Sequence, residues 1–336
     1  MTAALLGFAL AGLLPGGEPA RTLRRAMWLT VAGSVVAAVS PNLLALLPAR
    51  AAQGIGVGLL VAGGLADVPR RLPPAVAGRV TGALISGTAL GGLLGRVIGY
   101  TGNFLTWRGA FAVGGAGVLA VVLLSLRGLP FGSAGEAPRP ARSGGAPVSL
   151  LAAGLFILFV SVGMFDLLPY RLKAAPFHLS NTYADLVYLV FIPAAVFGVV
   201  AGRAVDRFGT RTTILATAAA AAALMLVGLV PSIPAIALAA MAGICGTVGL
   251  HVAHSGAAAR HGRAAVGRYL AAYYVGGAAA APLTAAGYLR WGWPGVILPL
   301  CAATLAVGLR ALARKDPDGA QRPQLDPGIP PAGGLG

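Results

Sequence analysis

The charged residues best placed to do chemistry lie in one short loop between two apolar segments. Asp206 and Arg207 stand between Gly202 and Gly209, and Arg211 follows. A carboxylate in such a loop can cap a helix end or pair with a cation on another helix. The loop is therefore a candidate gate, in which a charge network holds one state of the protein closed. The alternative is that its arginines only mark one face of a membrane.

Proton transfer inside a membrane requires a group that can change its protonation there, and few residues qualify. Asp166 lies near the end of an apolar segment, before Arg171. It is a candidate for binding a proton or a substrate, or else an interfacial cap paired with that arginine. Asp185 starts the next segment, where an acid suits a helix N-terminus. His251 and His254, one helical turn apart, could relay a proton. Hydrogen-bonded packing is the alternative for both, and the absence of a further ligand cluster indicates no metal site.

Two arginines lie in apolar segments, where a charge is costly unless it faces a cavity or reaches the interface. Arg50 is followed by Gln53 and small residues, and both are candidates for lining a cavity. The sequence predicts that Arg50 starts a helix. The alternative to a cavity role is therefore that Arg50 anchors the extracellular end of that helix. Arg96 is a third cavity candidate, in the middle to outer part of its helix.

Small and aromatic residues mark two further helix faces. Glycines at four-residue spacing before Arg96 are typical of close helix packing in membranes. They are Gly87, Gly91 and Gly95, and Gly92 lies beside them. A later segment carries Tyr269, Tyr273 and Tyr274. These rings are a candidate contact set for an apolar solute, with ordinary helix packing as the alternative.

Composition determines the class of protein that must position these residues. The 336 residues are 57% hydrophobic and 10% charged, with a mean hydropathy of +0.82. This leaves too little polar surface for a water-soluble globule, and indicates a membrane protein. The net charge of +16 comes from short arginine clusters between apolar runs, so it indicates no nucleic-acid partner. Cys245 and Cys301 lie inside apolar runs, which predicts small buried side chains.

Apolar stretches long enough to cross a bilayer predict ten helices and one short segment. The stretches are 27–48, 50–66, 80–101, 109–127, 148–170, 182–202, 212–230, 233–255, 266–289 and 292–312, with a shorter one at 3–14. A region rich in Gly, Pro and Ser divides them. We therefore predict a first bundle at 1–127, a linker at 128–147, a six-helix bundle at 148–315 and a disordered tail at 316–336.

Alternate loops hold most of the lysines and arginines. By the positive-inside rule these loops, and the C-terminus with them, are expected in the cytoplasm. The loop at 16–25 also repeats the loop at 202–211. Arg21 and Arg25 match Arg207 and Arg211 in spacing, and a glycine precedes each copy, but Ala20 stands where the second copy has Asp206. An internal repeat of this kind is typical of transporters built from two related bundles.

These loops resemble the signature of the major facilitator superfamily, which recurs between its second and third and its eighth and ninth helices. The segment from Arg50 through Gln53 to Gly58 resembles the superfamily's fourth-helix motif, and the segment from Gly87 to Arg96 resembles the fifth-helix motif of its antiporters. Tyr170, Pro176, His254 and the stretch from Tyr273 to Gly277 are similar to the YnfM-type branch of drug–proton antiporter-like inner-membrane permeases.

The resemblance implies an all-α membrane protein with two bundles and about 11 transmembrane helices. These correspond to the twelve helices of the superfamily without its first helix. It also implies a secondary transporter that exports an unidentified small molecule by proton-coupled alternating access, driven by a proton gradient without a cofactor. We expect a monomer spanning the cell inner membrane many times, and no enzyme activity. The alternatives are a truncated or decayed permease without transport, or a membrane sensor that keeps only the fold.

Overall fold

The computed structural model describes residues 2–14, 19–128 and 146–312. Within these residues every regular element is helical. The helices are α1 Thr2–Leu13, α2 Pro19–Val39, α3 Leu43–Arg71, α4 Pro74–Gly128, α5 Val148–Lys173, α6 Asn181–Asp185, α7 Phe191–Phe208, α8 Thr210–Leu226, α9 Ile233–Ala259, α10 Arg263–Trp291 and α11 Pro294–Leu312.

Three of these helices, α4, α6 and α7, do not correspond one-to-one to crossings. Helix α4 is interrupted at Thr106, whose φ of 68° and ψ of 162° are not helical, and it supplies two crossings, Pro74–Tyr100 and Phe104–Ser125. Helices α6 and α7, joined by the short 3-10 helix Leu186–Val190, form one crossing. The described chain thus runs through eleven helical segments, which confirms the predicted number.

Eight of the described segments are long and apolar enough to cross a membrane. Helix α1 is apolar but shorter, and α2 and α10 are long enough but more polar. Three polar side chains of the latter two helices, Thr30, Ser34 and Thr284, are buried against other helices.

The helices pack as two halves. In the first half, α3 contacts both α1 and α2, and α2 contacts α4; in the second, α5 contacts α10 and α8 contacts α9. The halves meet along two helix pairs, α4 with α7 and α1 with α10. We call these the α4–α7 seam and the α1–α10 seam. The linker at 128–147 and the tail at 316–336 fall almost wholly outside the described residues, and the predicted division into domains stays a prediction.

The turn between α2 and α3 lies about nine residues earlier than the predicted boundary between spans at 48–50. Helix α2 ends at Val39, and the side chain of Asn42 caps α3 by accepting a hydrogen bond from the Ala45 amide at 2.9 Å. Arg108 closes the turn by donating to the carbonyl oxygens of Ser40 and Pro41. The prediction that Arg50 starts a helix is therefore wrong, because it lies in the third turn of α3.

Candidate functional site

Asp206 joins the two halves at one end of the molecule. It lies in the last turn of α7, and its two carboxylate oxygens accept hydrogen bonds from the backbone amides of Gly78 at 2.8 Å and Arg79 at 2.9 Å. Both amides belong to the second turn of α4. Gly209, with a φ of 83° that favours glycine, ends α7 and lets α8 begin at once. We call this end of the molecule the Asp206 end, and the opposite one the Asp166 end.

Arg207 and Arg211 of the second signature loop make contacts within their own half. The Arg207 guanidinium lies 5.2 Å from the centre of the Phe208 ring, and Arg211 donates to the carbonyl oxygen of Leu312 at 3.4 Å. Arg21 and Arg25 are exposed at the start of α2. Residues 16–18, which complete the first copy, lie outside the described ranges. Of the predicted gate, Gly202 and Asp206 reach the other half.

Glycines allow α4 and α7 to approach closely. A Cβ atom built on Gly202 would overlap the carbonyl oxygen of Gly78, and one built on Gly82 would overlap that of Gly198. One turn further along α4, the Ser86 hydroxyl lies 2.5 Å from the Ala195 carbonyl oxygen and 2.8 Å from that of Gly82, and shares its proton between them. Sequence reasoning missed this seam, although its four-residue spacing was visible.

The predicted glycine face on α4 points away from the other described helices. A Cβ atom at Gly87, Gly91 or Gly95 would have no neighbour within 4 Å, and all three residues are exposed. At Gly92 the added atom would only make ordinary contact with the Phe191 ring, at 3.6 Å. The packed stripe lies one helical position away, at Gly78, Gly82 and Ser86.

The α1–α10 seam combines close backbones, stacked rings and an ion pair. Cβ atoms at Gly12 or Gly267 would overlap the other residue's carbonyl oxygen. The rings of Phe8 and Tyr274 stack with centroids 4.4 Å apart. The ion pair involves Asp67, at the end of α3, which lies 3.3 Å from both Arg263 of α10 and Arg71. In the sequence, Asp67 follows an apolar run, and this position by itself indicates only a loop.

Arg50 and Gln53 belong to a polar network inside the first half. Arg50 donates to the Gln53 side-chain oxygen at 2.5 Å, and the Gln53 amide donates to the Ser34 hydroxyl at 2.8 Å. The Arg50 guanidinium also lies 5.4 Å from the centre of the Phe111 ring. The network ties α2, α3 and α4 together, and Ser34 is the member that sequence reasoning missed.

At the Asp166 end, a cation–π contact crosses between the halves. The Arg96 guanidinium of α4 lies 3.8 Å from the centre of the Tyr188 ring. Asp166 of α5 is half-buried and within electrostatic range of Arg96. Arg171 instead donates to the Ala175 carbonyl oxygen at 2.6 Å and covers the Phe177 ring. Arg96, a cation that acts electrostatically on Asp166, is therefore in the other half.

His251 and His254 have different partners. His251 Nδ1 lies 2.8 Å from the Tyr269 hydroxyl, and its ring stacks on Tyr273 with centroids 4.1 Å apart. His254 Nδ1 lies 2.8 Å from the Leu250 carbonyl oxygen. All four side chains are buried. The cluster lies between α9 and α10, and Tyr274 extends it to Phe8 across the seam.

Comparisons with known proteins support one family. The Major Facilitator Superfamily model matches residues 150–332. The chain is 35% identical over 281 residues to the inner membrane transport protein YnfM of Escherichia coli (strain K12), covering 78% of this chain and 67% of YnfM. It is 27% identical over 190 residues to the uncharacterized MFS-type transporter YybF of Bacillus subtilis (strain 168), covering 52% of this chain and 46% of YybF. The matched region thus spans less than half of YybF and about two thirds of YnfM.

Solved structures show the same fold at low identity. The proton:xylose symporter XylE matches with a TM-score of 0.73 and 17% identity, covering 93% of this chain and 84% of XylE. The transporter FucP in its outward conformation matches with a TM-score of 0.70 and 14% identity, covering 94% of this chain and 88% of FucP. At these identities the likeness shows the fold alone.

Proposed function

The chain belongs to the major facilitator superfamily, and from that premise we propose that it is a secondary active transporter that exports a small molecule in exchange for protons. The predicted family and all-helical fold are confirmed. The observation that carries the proposal is the construction of the α4–α7 seam, where glycines let the backbones of the two halves approach closely. Such a surface lets two rigid bundles rock against each other around a site between them.

Proton exchange is the finer part of the proposal, and Asp166 is its proposed carrier. It is half-buried and lies within electrostatic range of Arg96 in the other half. Protonation of this carboxylate would weaken its attraction to Arg96, and so would change the contact between the halves at the Asp166 end. Binding of a proton and movement of the halves are then linked in one place.

The proposed orientation puts the Asp206 end, and the C-terminus with it, in the cytoplasm of a cell whose inner membrane the chain spans, and the arginine-rich loops support it. The transporter acts as a monomer on an unidentified small molecule, because each half finds its partner within the same chain.

Efflux from proteoliposomes tests the proposal. The purified protein is reconstituted, a pH gradient is imposed, and movement of the fluorescent cations ethidium and Hoechst 33342 and of a panel of uncharged dyes is followed. We expect gradient-driven movement of at least one probe, abolished by nigericin, which collapses the gradient. A panel in which no probe moves would favour the non-transporting alternative.

Asp166→Asn is expected to abolish gradient-driven movement while leaving downhill exchange of the probe, because Asn cannot release a proton. Asp185→Asn is the matched control, since this acid is exposed on the neighbouring crossing. Undiminished gradient-driven transport by Asp166→Asn would exclude Asp166 as the carrier without excluding transport.

A further inference from the structure

A proline in α5 leaves one backbone oxygen next to Asp166 without its usual donor. Pro169 lies inside the helix, four residues after Phe165, and a proline has no amide proton. The carbonyl oxygen of Phe165 therefore lacks the intrahelical hydrogen bond that another residue at position 169 would donate. Phe165 is buried, so this oxygen requires a donor from a neighbouring element.

Tyr188 supplies that donor. Its hydroxyl donates to the Phe165 carbonyl oxygen at 3.2 Å, and its ring packs against the Phe165 ring with centroids 6.0 Å apart. The Phe165 ring also packs against Phe191, the first residue of α7, with centroids 4.9 Å apart. Tyr188 belongs to the 3-10 helix between α6 and α7, so these contacts attach that short helix to α5.

The same tyrosine ring contacts a cation of the other half. The Arg96 guanidinium lies 3.8 Å from the centre of the Tyr188 ring, within the range of cation–π attraction. Its charge acts on both Tyr188 and Asp166, and Asp166 directly follows the residue whose carbonyl oxygen Tyr188 binds. The position of Arg96 relative to Asp166 thus depends on a ring that is attached to the backbone beside that acid.

We propose that Tyr188 is a positioning residue, which keeps Arg96 within electrostatic range of Asp166. The inference rests on the proposed function for its effect on transport, whereas the contact itself can be tested without a transported solute. Without the ring, the long side chain of Arg96 is free to move away, and protonation of Asp166 no longer changes a contact between the halves. Loss of Tyr188 therefore uncouples movement of the solute from the proton gradient and leaves downhill movement intact.

The proteoliposome assay tests this coupling. Tyr188→Leu removes the ring and keeps an apolar side chain, and it should lower gradient-driven movement of a probe about fivefold, the factor expected when a half-buried cation–π contact is lost. Downhill exchange of the same probe should persist. Tyr183→Leu, which replaces an exposed tyrosine of α6, is the matched control and should change neither rate. Full gradient-driven movement by Tyr188→Leu would overturn the inference, and so would an equal loss of both rates, which a purely structural role predicts.

A conservative variant gives a second test. Tyr188→Phe keeps the ring without the hydroxyl, and Pro169→Ala returns an amide donor to the Phe165 carbonyl oxygen. Tyr188→Phe alone should lower the melting temperature in detergent, because it leaves a buried oxygen without a donor. In the Pro169→Ala protein, Tyr188→Phe should have a smaller effect on melting and should preserve gradient-driven movement. An equal effect on melting in both backgrounds would overturn the inference, since the hydroxyl would then not be bound to this oxygen.

A double-mutant cycle separates this inference from the proposed function. Thermal unfolding is measured for Tyr188→Leu, for Arg96→Gln and for the double variant. We expect the two effects not to add, because each substitution removes the same contact. Additive effects would overturn the inference even in a protein that transports a probe. If no probe moves, the proposed function fails, and the cycle still decides whether Tyr188 holds Arg96.

Discussion

Two carboxylates link the halves at the Asp206 end, and they do so in different ways. Asp206 accepts hydrogen bonds from backbone amides of α4, whereas Asp67 pairs with the side chain of Arg263. A backbone amide moves only with its helix, so Asp206 fixes the position of α4 relative to α7. A guanidinium on a long side chain can follow Asp67 as the helices move. The Asp206 contact therefore tolerates less movement between the helices than the Asp67 contact does.

Asp206→Asn is expected to weaken the contact between α4 and α7. The substitution removes the charge and sets an amide group against one of the two donor amides, and hydrogen bonds to charged groups each contribute about 1.5–3 kcal/mol. The melting temperature in detergent should fall, and transport should fall with it. Asp185→Asn, at the opposite end, is the control that should leave both unchanged. Equal melting temperatures for Asp206→Asn and the parent protein would refute a structural role for this carboxylate.

Sequence reasoning recognised Asp206 but not its partners. A carboxylate between glycines and arginines predicts a capping or ion-pairing role from residue type alone. Gly78 and Arg79 lie more than 120 positions earlier, and nothing in their local sequence marks them as its donors. Asp67 was missed for a related reason. Its position after an apolar run is typical of a loop, while its pairing with Arg263 depends on how α3 and α10 meet.

At the scale of elements, α4 carries two stripes of small residues, and the sequence favours neither. Gly78, Gly82 and Ser86 follow one face, and Gly87, Gly91 and Gly95 follow a face about 100° away. Both have the four-residue spacing that suits close packing. The structure packs the first against α7 and leaves the second exposed. Spacing predicts that a helix has a packing face, but the neighbouring helix decides which one.

Gly202→Ala and Gly87→Ala make a matched pair that separates the two stripes. An alanine at 202 would overlap the Gly78 backbone, and overpacking of this kind costs about 1–3 kcal/mol. An alanine at 87 would enter open space and gains up to about 1 kcal/mol of helix propensity. Thermal unfolding in detergent should therefore show a lower midpoint for Gly202→Ala and an equal or higher one for Gly87→Ala. The reverse order would show that the second stripe is the packed one.

Most of the crossings could be predicted because apolar length alone defines them. The turn between α2 and α3 could not, because alanine and valine run up to Pro41 and leucine follows Asn42 without a change in hydropathy. The local indication of this turn is the capping residue Asn42 next to a proline. Hydropathy averaged over a long window does not detect it. Placing this turn correctly moves Arg50 into the body of α3, where it can reach Gln53 and, through it, Ser34.

For the whole molecule, contacts between the halves occur at both ends of the α4–α7 seam. Asp206 binds α4 at one end, and Arg96 covers Tyr188 at the other. The α1–α10 seam is joined by Phe8 and Tyr274, and Asp67 and Arg263 lie beside it. If the halves alternate between two open states, contacts at one end must break while those at the other remain. A covalent link at one end should therefore stop the cycle.

Cross-linking at the Asp206 end tests this directly. Asp67→Cys is combined with Arg263→Cys in protein whose Cys245 and Cys301 are replaced by alanine, and the pair is joined by a short bismaleimide. We expect transport of the probe to fall to background after cross-linking, because the halves can no longer separate at that end. The control combines Asp67→Cys with Arg71→Cys, which lie one turn apart on α3. This control protein also lacks the Asp67 carboxylate, but its cross-link stays within one half. Its transport should survive cross-linking. Continued transport by the cross-linked 67–263 pair would mean that the halves do not separate at this end, and would contradict rocking of the two halves as the mechanism.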